Sequence, residues 1–155
     1  MKITVLSVGK VRQRFVLEGE SEYLGRLGHG FQVELRELGI DIPESLSPEE
    51  AKEREGKVLL EKLTGFDYVV ALDQLGKQLT SEEFSELLRG RRDAGKRSMC
   101  FVIGGAYGLS EKVRQRSNSI LSLSKCTFPH QLTRLILVEQ LYRSYTLMQG
   151  IRYHK

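Results

Sequence analysis

The 155-residue sequence contains no tryptophan, only two cysteines and three prolines, and no long apolar run. Cys100 and Cys126 are far apart and form no C-x-x-C pair, so reduced thiols are expected rather than a disulfide or a metal site. No apolar segment approaches the roughly 18 residues that a membrane span requires. The N-terminal segment has too short an apolar core for a signal peptide and no cleavage site after it. These absences predict a cytoplasmic protein with no membrane partner.

Two common nucleotide-binding signatures are also missing. After the first predicted strand the chain has only Gly9, where the dinucleotide fingerprint needs three spaced glycines. The phosphate-binding loop pattern Gly-x4-Gly-Lys-Ser/Thr does not occur either. Dinucleotide-dependent enzymes and common NTPases are therefore disfavoured. What is present, 40% hydrophobic and 28% charged residues, is typical of one globular domain spanning residues 1–155.

Charge is distributed unevenly along the chain. Residues 111–155 carry eight basic and two acidic side chains, whereas residues 1–110 carry 16 basic and 18 acidic ones. An excess of cations at one end suits a phosphate-bearing partner. Solvated helix faces would explain the same charges, and both interpretations stay open at this stage.

Periodicity predicts alternating strands and helices. Strands are expected at residues 2–8, 31–38, 67–72, 98–103 and 120–123, and helices at residues 12–27, 48–63, 81–92, 111–115 and 132–148. Ser47 with Glu50, and Thr80 with Glu83, have the spacing of capping boxes that start two of these helices. Several strands are apolar on both faces, as in parallel sheets covered by helices on each side. The sequence therefore predicts a three-layer α/β fold with a mostly parallel sheet.

The last predicted helix is apolar over more of its circumference than one stripe. Leu132, Leu135, Ile136, Val138 and Tyr142 point in different directions around a helical wheel. Such a helix needs cover on more than one side, which a second copy of the chain would provide. We therefore predict a homodimer. A central core helix within one chain is the alternative.

Three loops that follow predicted strands are candidate ligand-binding segments, because ligands of α/β sheets bind beyond the C-terminal strand ends. They cover residues 72–77, 104–110 and 123–130. The pair Gly104 and Gly105 would let the backbone approach a ligand closely. The loop from Ser124 to Phe128 could hold an adenine and a ribose through main-chain hydrogen bonds. A tight turn and a helix-capping loop would account for the same residues, so both interpretations remain open.

The C-terminal tail combines three chemically useful side chains. Arg152, Tyr153 and His154 follow Gly150, which is expected to end the last helix. Together they suit phosphate contact, base stacking and proton handling. Terminal residues are often disordered, however, unless other contacts hold them in place.

Several spaced motifs agree in order and register with one family. They are Phe101-Val102-Ile103-Gly104-Gly105-Ala106-Tyr107-Gly108-Leu109, Leu121-Ser122-Leu123-Ser124, Thr127-Phe128-Pro129-His130-Gln131-Leu132, residues 134–143 and Tyr153-His154-Lys155. This chain resembles, over its whole length, the RlmH family of large-subunit rRNA pseudouridine N3-methyltransferases, which belong to the SPOUT class. Two departures are Arg152, where a proline is common, and Cys126, where methionine or leucine is common.

The resemblance implies a fold, a cofactor and a partner. It implies a C-terminal trefoil knot, a homodimer, and S-adenosylmethionine (SAM) as methyl donor without a metal. The residues that would contact SAM by position are Leu72, Gly104, Leu123, Ser124, Lys125, Cys126, Thr127 and Phe128. The implied substrate is a pseudouridine of 23S rRNA within the assembled ribosome.

The reaction needs the pseudouridine N3 to lose its proton and to lie in line with the methyl group. We expect His154 to handle the proton and Tyr153 to stack on or orient the base. Arg134, Arg152 and Lys155 are the candidates for contact with RNA. The competing hypotheses are a non-enzymatic ribosome-binding factor and a Rossmann-type nucleotide enzyme, and SAM binding would distinguish them from the methyltransferase.

Overall fold

Strands and helices alternate through the whole chain in a computed structural model that describes residues 1–27 and 31–153. The elements are β1 (Lys2–Val8), α1 (Arg14–Leu27), β2 (Gln32–Leu38), α2 (Pro48–Lys62), β3 (Tyr68–Gln78), α3 (Ser81–Asp93), β4 (Ser98–Ile103), α4 (Glu111–Arg116), β5 (Ser119–Ser122) and α5 (His130–Gln149). Each predicted element is present in the predicted order. Most boundaries differ from the prediction by one or two residues.

The five strands form one sheet in the order β2-β1-β4-β3-β5, and every pair of neighbours is parallel. Lys2 pairs with both Gln32 and Ser98, so the N-terminal ends of three strands lie along one edge. Their C-terminal ends lie along the opposite edge. The predicted α/β architecture with a parallel sheet is confirmed.

A hydrophobic core lies on each face of this sheet. On one face Val5, Val70 and Phe101 pack with helix residues such as Leu88 and Leu137. On the other face, the alternate side chains of the strands pack against α2 and α4. The strand residues are Leu6, Val69, Ala71, Cys100 and Val102, and they pack with Leu59, Leu63 and Val113. This double cover explains why β4 is apolar at successive positions. It also gives the three predicted layers.

The two predicted capping boxes start α2 and α3. At α2 the backbone N–H of Glu50 donates to Ser47 Oγ at 3.3 Å, and the Ser47 N–H donates to the Glu50 carboxylate at 2.8 Å. At α3 the same exchange joins Thr80 and Glu83. Each box satisfies two backbone donors that a helix start leaves without partners, which is why these two boundaries were predictable.

Strand β3 is longer than predicted. It continues past Leu72 to Gln78, and its pairing with β5 shifts register between Leu72 and Lys77. Gly76 permits this approach, because a Cβ there would lie 2.5 Å from the backbone carbon of Leu121. The polar residues of this extension resemble a loop in sequence, so periodicity alone does not reveal it.

Helix α5 lies between α1 and α3 and also contacts β1 and β4. Its approach to α1 is close at Gly19, where a Cβ would meet the Leu135 side chain at 2.8 Å. Contacts on three sides within one chain account for much of its apolar circumference. The homodimer therefore stays a prediction, and this helix alone does not require it. Across residues 1–27 and 31–153, no helix has the length and apolar character to cross a membrane.

Candidate functional site

A cavity of about 780 Å³ opens at the C-terminal edge of the sheet. The middle of β3, the ends of β4 and β5 and the start of α5 surround it, through residues such as Leu72, Ile103, Leu121 and His130. All three segments that the sequence singled out contribute to its wall, but the first of them, residues 72–77, belongs to β3 and is not a loop. The parallel sheet therefore brings three distant segments of sequence to one place.

Seven of the eight predicted cofactor-binding residues line this cavity. They are Leu72, Gly104, Leu123, Ser124, Cys126, Thr127 and Phe128. Lys125 is exposed and is not part of the lining. Cys126 is exposed at the cavity and Cys100 is buried in the core, where burial raises the pKa of the Cys100 thiol to about 12. Contact of the seven lining residues with SAM stays a prediction.

The glycine-rich segment after β4 forms a tight turn. The Gly108 N–H donates to the Gly105 carbonyl at 3.1 Å, and Gly108 has a φ of 81°. A Cβ on Gly104 would lie 2.6 Å from the Gly108 carbonyl carbon. The turn is thus closed by its own backbone, and glycine at position 104 is a steric requirement. Tyr107, half exposed at the cavity, is a lining residue that the sequence argument did not single out.

The loop between β5 and α5 is shaped by hydroxyl groups. Ser124 Oγ accepts the Cys126 N–H at 2.9 Å, and Ser122 Oγ donates to the Ser124 carbonyl at 2.8 Å. Pro129 stands at the N-cap of α5 and makes no side-chain cap hydrogen bond. The N-cap residue therefore contributes no side-chain cap to α5, and ligand binding by this segment stays a prediction.

Two cations and one carboxylate lie at the rim of the cavity. Arg114 approaches Asp73 at 3.5 Å and also pairs with Glu111. The other Asp73 oxygen accepts the Leu75 N–H at 2.9 Å. Lys52 reaches the same cavity from α2. Arg114 and Lys52 were not predicted as site residues, because no local spacing in the sequence connects them to the strand-end loops.

A buried carboxyl group stands behind the glycine turn. Glu55 is 6% exposed and faces the backbone of Gly105, and its Oε2 atom has no hydrogen-bond partner among the residues that the structure describes. A Cβ on Gly105 would lie 2.5 Å from Glu55 Oε1. Burial raises the pKa of Glu55, an effect that the Gly105 N–H partly offsets. Folding thus disfavours the charged form of this side chain relative to the unfolded chain.

Replacing Glu55 with glutamine is expected to change how stability depends on pH. Because the pKa of Glu55 is raised in the folded state, its protonated form contributes to the free energy of unfolding. This contribution is fully present below the ordinary pKa of 4.5 and is lost as the pH rises through the raised pKa. Glu55→Gln lacks this loss, so it should be more stable than the wild type at pH 8 and equally stable at pH 4. Urea unfolding at the two pH values measures the difference. Glu61→Gln, on the exposed side of α2, is the control, and an equal pH response in both variants would contradict the assignment.

Arg134 lies in the interior of the protein rather than at an RNA-accessible surface. Its side chain is 2% exposed and donates two hydrogen bonds to Glu20, at 2.5 and 2.7 Å. A third donation reaches Glu37 at 2.8 Å, and Glu37 in turn accepts the Val11 N–H. We therefore correct the predicted RNA contact of Arg134 to a structural one, since its guanidinium is committed to the buried carboxylate of Glu20 and to the partly exposed carboxylate of Glu37. The cluster joins α5 to α1 and β2.

Several other cations of residues 111–155 also have partners within the chain. Arg143 pairs with Glu139 at 2.5 Å, and Lys112 pairs with Glu53 at 3.3 Å. The Arg116 guanidinium donates to the Leu63 carbonyl at 3.2 Å. Four of the eight cations of this segment, counting Arg114 and Arg134, are therefore paired with carboxylates in the fold, whereas Lys125 and Arg152 are exposed.

The described part of the tail folds back onto α5. The Tyr153 ring packs edge-on against Tyr142 with centroids 4.7 Å apart, and Arg143 lies 5.0 Å from the Tyr153 centroid. Desolvation, followed by a hydrogen bond with Tyr23, raises the pKa of Tyr153 to about 12. Arg152 is exposed. The predicted roles of His154 and Lys155 fall outside the described residues.

Tyr153 does not line the cavity of its own chain. Its partner Tyr142 is twelve residues beyond His130 in α5, which corresponds to about 18 Å along a helix. The structure therefore separates the predicted catalytic tail from the predicted cofactor loops within one chain. Within residues 1–27 and 31–153, no group of three His, Cys, Asp or Glu side chains is placed to hold a metal ion.

Solved structures share this fold at low sequence identity. A probable methyltransferase from Bordetella pertussis superposes with a TM-score of 0.59 at 14% identity, covering 92% of this chain and 95% of that one. A probable methylase family protein from Haemophilus influenzae gives 0.58 at 11% identity, covering 99% of this chain and 70% of that one. These likenesses show the fold alone.

Sequence comparison is more specific. Proteins called "Ribosomal RNA large subunit methyltransferase H" match over the full length of both chains, with 42% identity in Enterococcus faecalis and 45% in Bacillus cytotoxicus. The family model described as "Predicted SPOUT methyltransferase" matches residues 1–154. The resemblance that the motifs indicated is thus confirmed, and this chain belongs to the SPOUT methyltransferase family.

Proposed function

We propose that this chain transfers a methyl group from SAM to N3 of a pseudouridine in large-subunit (23S) rRNA, as a cytoplasmic homodimer acting on the assembled ribosome. The observation that carries this proposal is the cavity at which the middle of β3 and the loops after β4 and β5 meet. The choice of substrate is supported by relatives at 42% and 45% identity, which are named as methyltransferases of large-subunit ribosomal RNA.

The cavity has features that fit SAM. Its volume of about 780 Å³ lies within the roughly 300–1,000 Å³ typical of small-molecule sites. Leu72, Leu123 and Phe128 offer apolar surface for an adenine ring, and the turn at Gly104 brings backbone close to the ligand. Thr127 adds a hydroxyl. When bound, SAM supplies a methyl group on a sulfonium, and this chemistry requires no metal. The proposed trefoil knot would wrap residues 123–129 around this ligand.

The proposed reaction is an in-line displacement. The pseudouridine N3 gives up its proton and bonds to the methyl carbon while the bond from that carbon to sulfur breaks, leaving S-adenosylhomocysteine. Positioning of the two reactants can contribute about 7–11 kcal/mol. Because the pKa of Tyr153 is raised to about 12, its phenol stays protonated at neutral pH. Tyr153 is therefore suited to stacking or orienting the base, and His154 is the proposed proton acceptor.

The separation between tail and cavity supports the homodimer. Tyr153 packs beside Tyr142, about 18 Å along α5 from the residues that begin at the cavity. One chain alone would leave the base-orienting residue far from the methyl donor. We infer that the tail of each protomer serves the cavity of its partner, so that a complete site needs two chains.

Deleting residues 152–155 is expected to reduce methyl transfer by about 100-fold or more, the usual contribution of a general acid–base group. SAM affinity should be unchanged, because the cavity residues all precede the tail. Transfer of labelled methyl groups to ribosomes from a strain lacking the gene measures the first quantity, and isothermal titration with SAM measures the second. A truncated protein that methylates at the normal rate would overturn the role of the tail.

Mass mapping of rRNA methylation in cells with and without the gene tests the substrate. The loss of one methyl group on one large-subunit pseudouridine is the expected result, and an unchanged map would reject the proposal. A non-enzymatic ribosome-binding factor predicts instead that isothermal titration with SAM shows no binding.

A further inference from the structure

A second concentration of charge lies away from the cavity, in residues 89–97. This segment, which we call the basic corner, contains Arg89, Arg91, Arg92, Lys96 and Arg97 and one acid, Asp93. The chain has 24 basic and 20 acidic residues. Outside the basic corner, 19 of each remain, so the corner carries a charge equal to the whole formal net charge of +4.

The basic corner is built at the N-terminal edge of the sheet. Helix α3 ends at Asp93, and Gly95 with a φ of 75° turns the chain toward β4. The Lys96 N–H donates to the Arg91 carbonyl at 3.1 Å, and the Lys2 N–H donates to the Arg97 carbonyl at 2.8 Å. These bonds fix the backbone on both sides of a recess of about 530 Å³. The recess is lined by Met1, Lys2, Gln32, Arg92, Gly95, Lys96 and Arg97.

Carboxylates near the recess are already committed. Asp67 accepts the backbone N–H groups of Arg97 and Ser98, each at 2.9 Å, and these bonds lower its pKa. Glu34 is held by Lys2 and Arg36, and Asp93 by Arg92.

Lys96 and Arg97 differ from the cations of the C-terminal segment. In the part of the chain that the structure describes, neither side chain forms an ion pair with a carboxylate. Arg91 stacks over Tyr68, with its guanidinium carbon 4.4 Å from the ring centroid. Among residues 1–27 and 31–153, the charges of Lys96 and Arg97 at the recess are therefore not taken up by an ion pair, and Asp67 acts on Lys96 only at longer range.

We propose that the basic corner binds the phosphate backbone of the substrate rRNA at a point remote from the reacting base. This proposal rests on the proposed function. Short segments rich in Lys and Arg are typical of nucleic-acid contacts, and guanidinium groups match phosphate geometry. The strands between the corner and the cavity are six or seven residues long, which places the two sites about 20 Å apart. Two separated contacts would orient a small enzyme on a large particle.

The test removes the two unpaired charges. Lys96→Gln combined with Arg97→Gln keeps the backbone hydrogen bonds of the turn. Arg54→Gln combined with Lys57→Gln is the matched control, because these two exposed residues on α2 have the same charges and belong to the opposite face of the sheet. Affinity for ribosomes purified from a strain lacking the gene is measured between about 50 and 200 mM salt. The magnitude of the slope of log K against log salt should fall by about 1–2 for the corner variant and stay unchanged for the control.

Each outcome decides between hypotheses. Equal salt slopes for the corner variant, the control and the wild type would overturn the proposed RNA contact of the basic corner. The proposed methylation by the wild type would not be affected by this result. The corner variant could instead bind protein-free 23S rRNA as the wild type does and yet lose affinity for ribosomes. This result would indicate that the corner contacts a ribosomal protein, and it would also overturn the proposal. A wild type that neither binds SAM nor methylates ribosomes would reject the proposed function, and the corner proposal with it. SAM titration of both variants should match the wild type, which shows that the fold is intact.

Discussion

Gly104→Ala is expected to impair both SAM binding and folding. The new Cβ would lie 2.6 Å from the Gly108 carbonyl carbon and 3.0 Å from the Leu109 nitrogen. Both neighbours are backbone atoms of the same turn, so the turn must open instead of a flexible side chain moving aside. Overpacking of this kind costs about 1–3 kcal/mol. If this turn is the part of the cavity that holds SAM, the strain corresponds to a loss of SAM affinity of roughly 5- to 160-fold.

Gly25→Ala is the control for this prediction. Gly25 lies in α1, and a Cβ placed there would have no atom of another described segment within 4 Å. Alanine at a helical position should stabilise the protein by about 0.5–1 kcal/mol and leave SAM affinity unchanged. Isothermal titration and urea unfolding give the two quantities for both variants. Wild-type affinity in Gly104→Ala would show that the turn is not part of the cofactor site.

Arg134→Met is expected to lower the free energy of unfolding by about 3–5 kcal/mol, because it leaves a buried carboxylate without its partner. Glu20 is 3% exposed, and both of its oxygens accept hydrogen bonds from Arg134. Chemical denaturation followed by circular dichroism measures the change. Arg14→Met is the control, since Arg14 pairs with Glu18 at an exposed position and should have little effect on stability.

A second variant separates the structural role from an RNA contact. Combining Arg134→Met with Glu20→Leu removes both buried charges, and replacing a buried pair with apolar residues is often neutral. We expect the double variant to recover most of the lost stability. Full stability of Arg134→Met together with weakened ribosome binding would contradict the structural assignment and restore the predicted RNA contact.

Local signals explain why the order of the elements was predictable. Ser47 with Glu50 and Thr80 with Glu83 provide helix starts that depend on four neighbouring residues only. The apolar run of β4, buried on both faces, needs no knowledge of distant residues to be recognised as a covered parallel strand. The convergence of the strand-end loops follows from a general property of parallel sheets, so the sequence predicts most of the cavity lining as well.

Long-range pairing explains what could not be predicted. Arg134 and Glu20 are 114 positions apart in sequence, and an arginine in a basic segment resembles a surface residue until its partner is known. The extension of β3 depends on the absence of a side chain at Gly76 opposite Leu121. The recess of the basic corner joins Lys2 to Arg97 across the sheet edge. None of these arrangements leaves a periodic trace in the sequence.

The attachment of α5 to the rest of the protein has a thermodynamic consequence for ligand binding. The seven-residue segment 123–129 is bounded by β5 and α5, and Arg134 fixes the first turns of α5 against α1 and β2. Much of the conformational entropy of this segment is therefore lost during folding, before any ligand arrives, and less remains to be lost on binding. Substitutions that loosen α5 far from the cavity should accordingly appear as weaker binding with an unfavourable entropy change, although they remove no contact with the ligand.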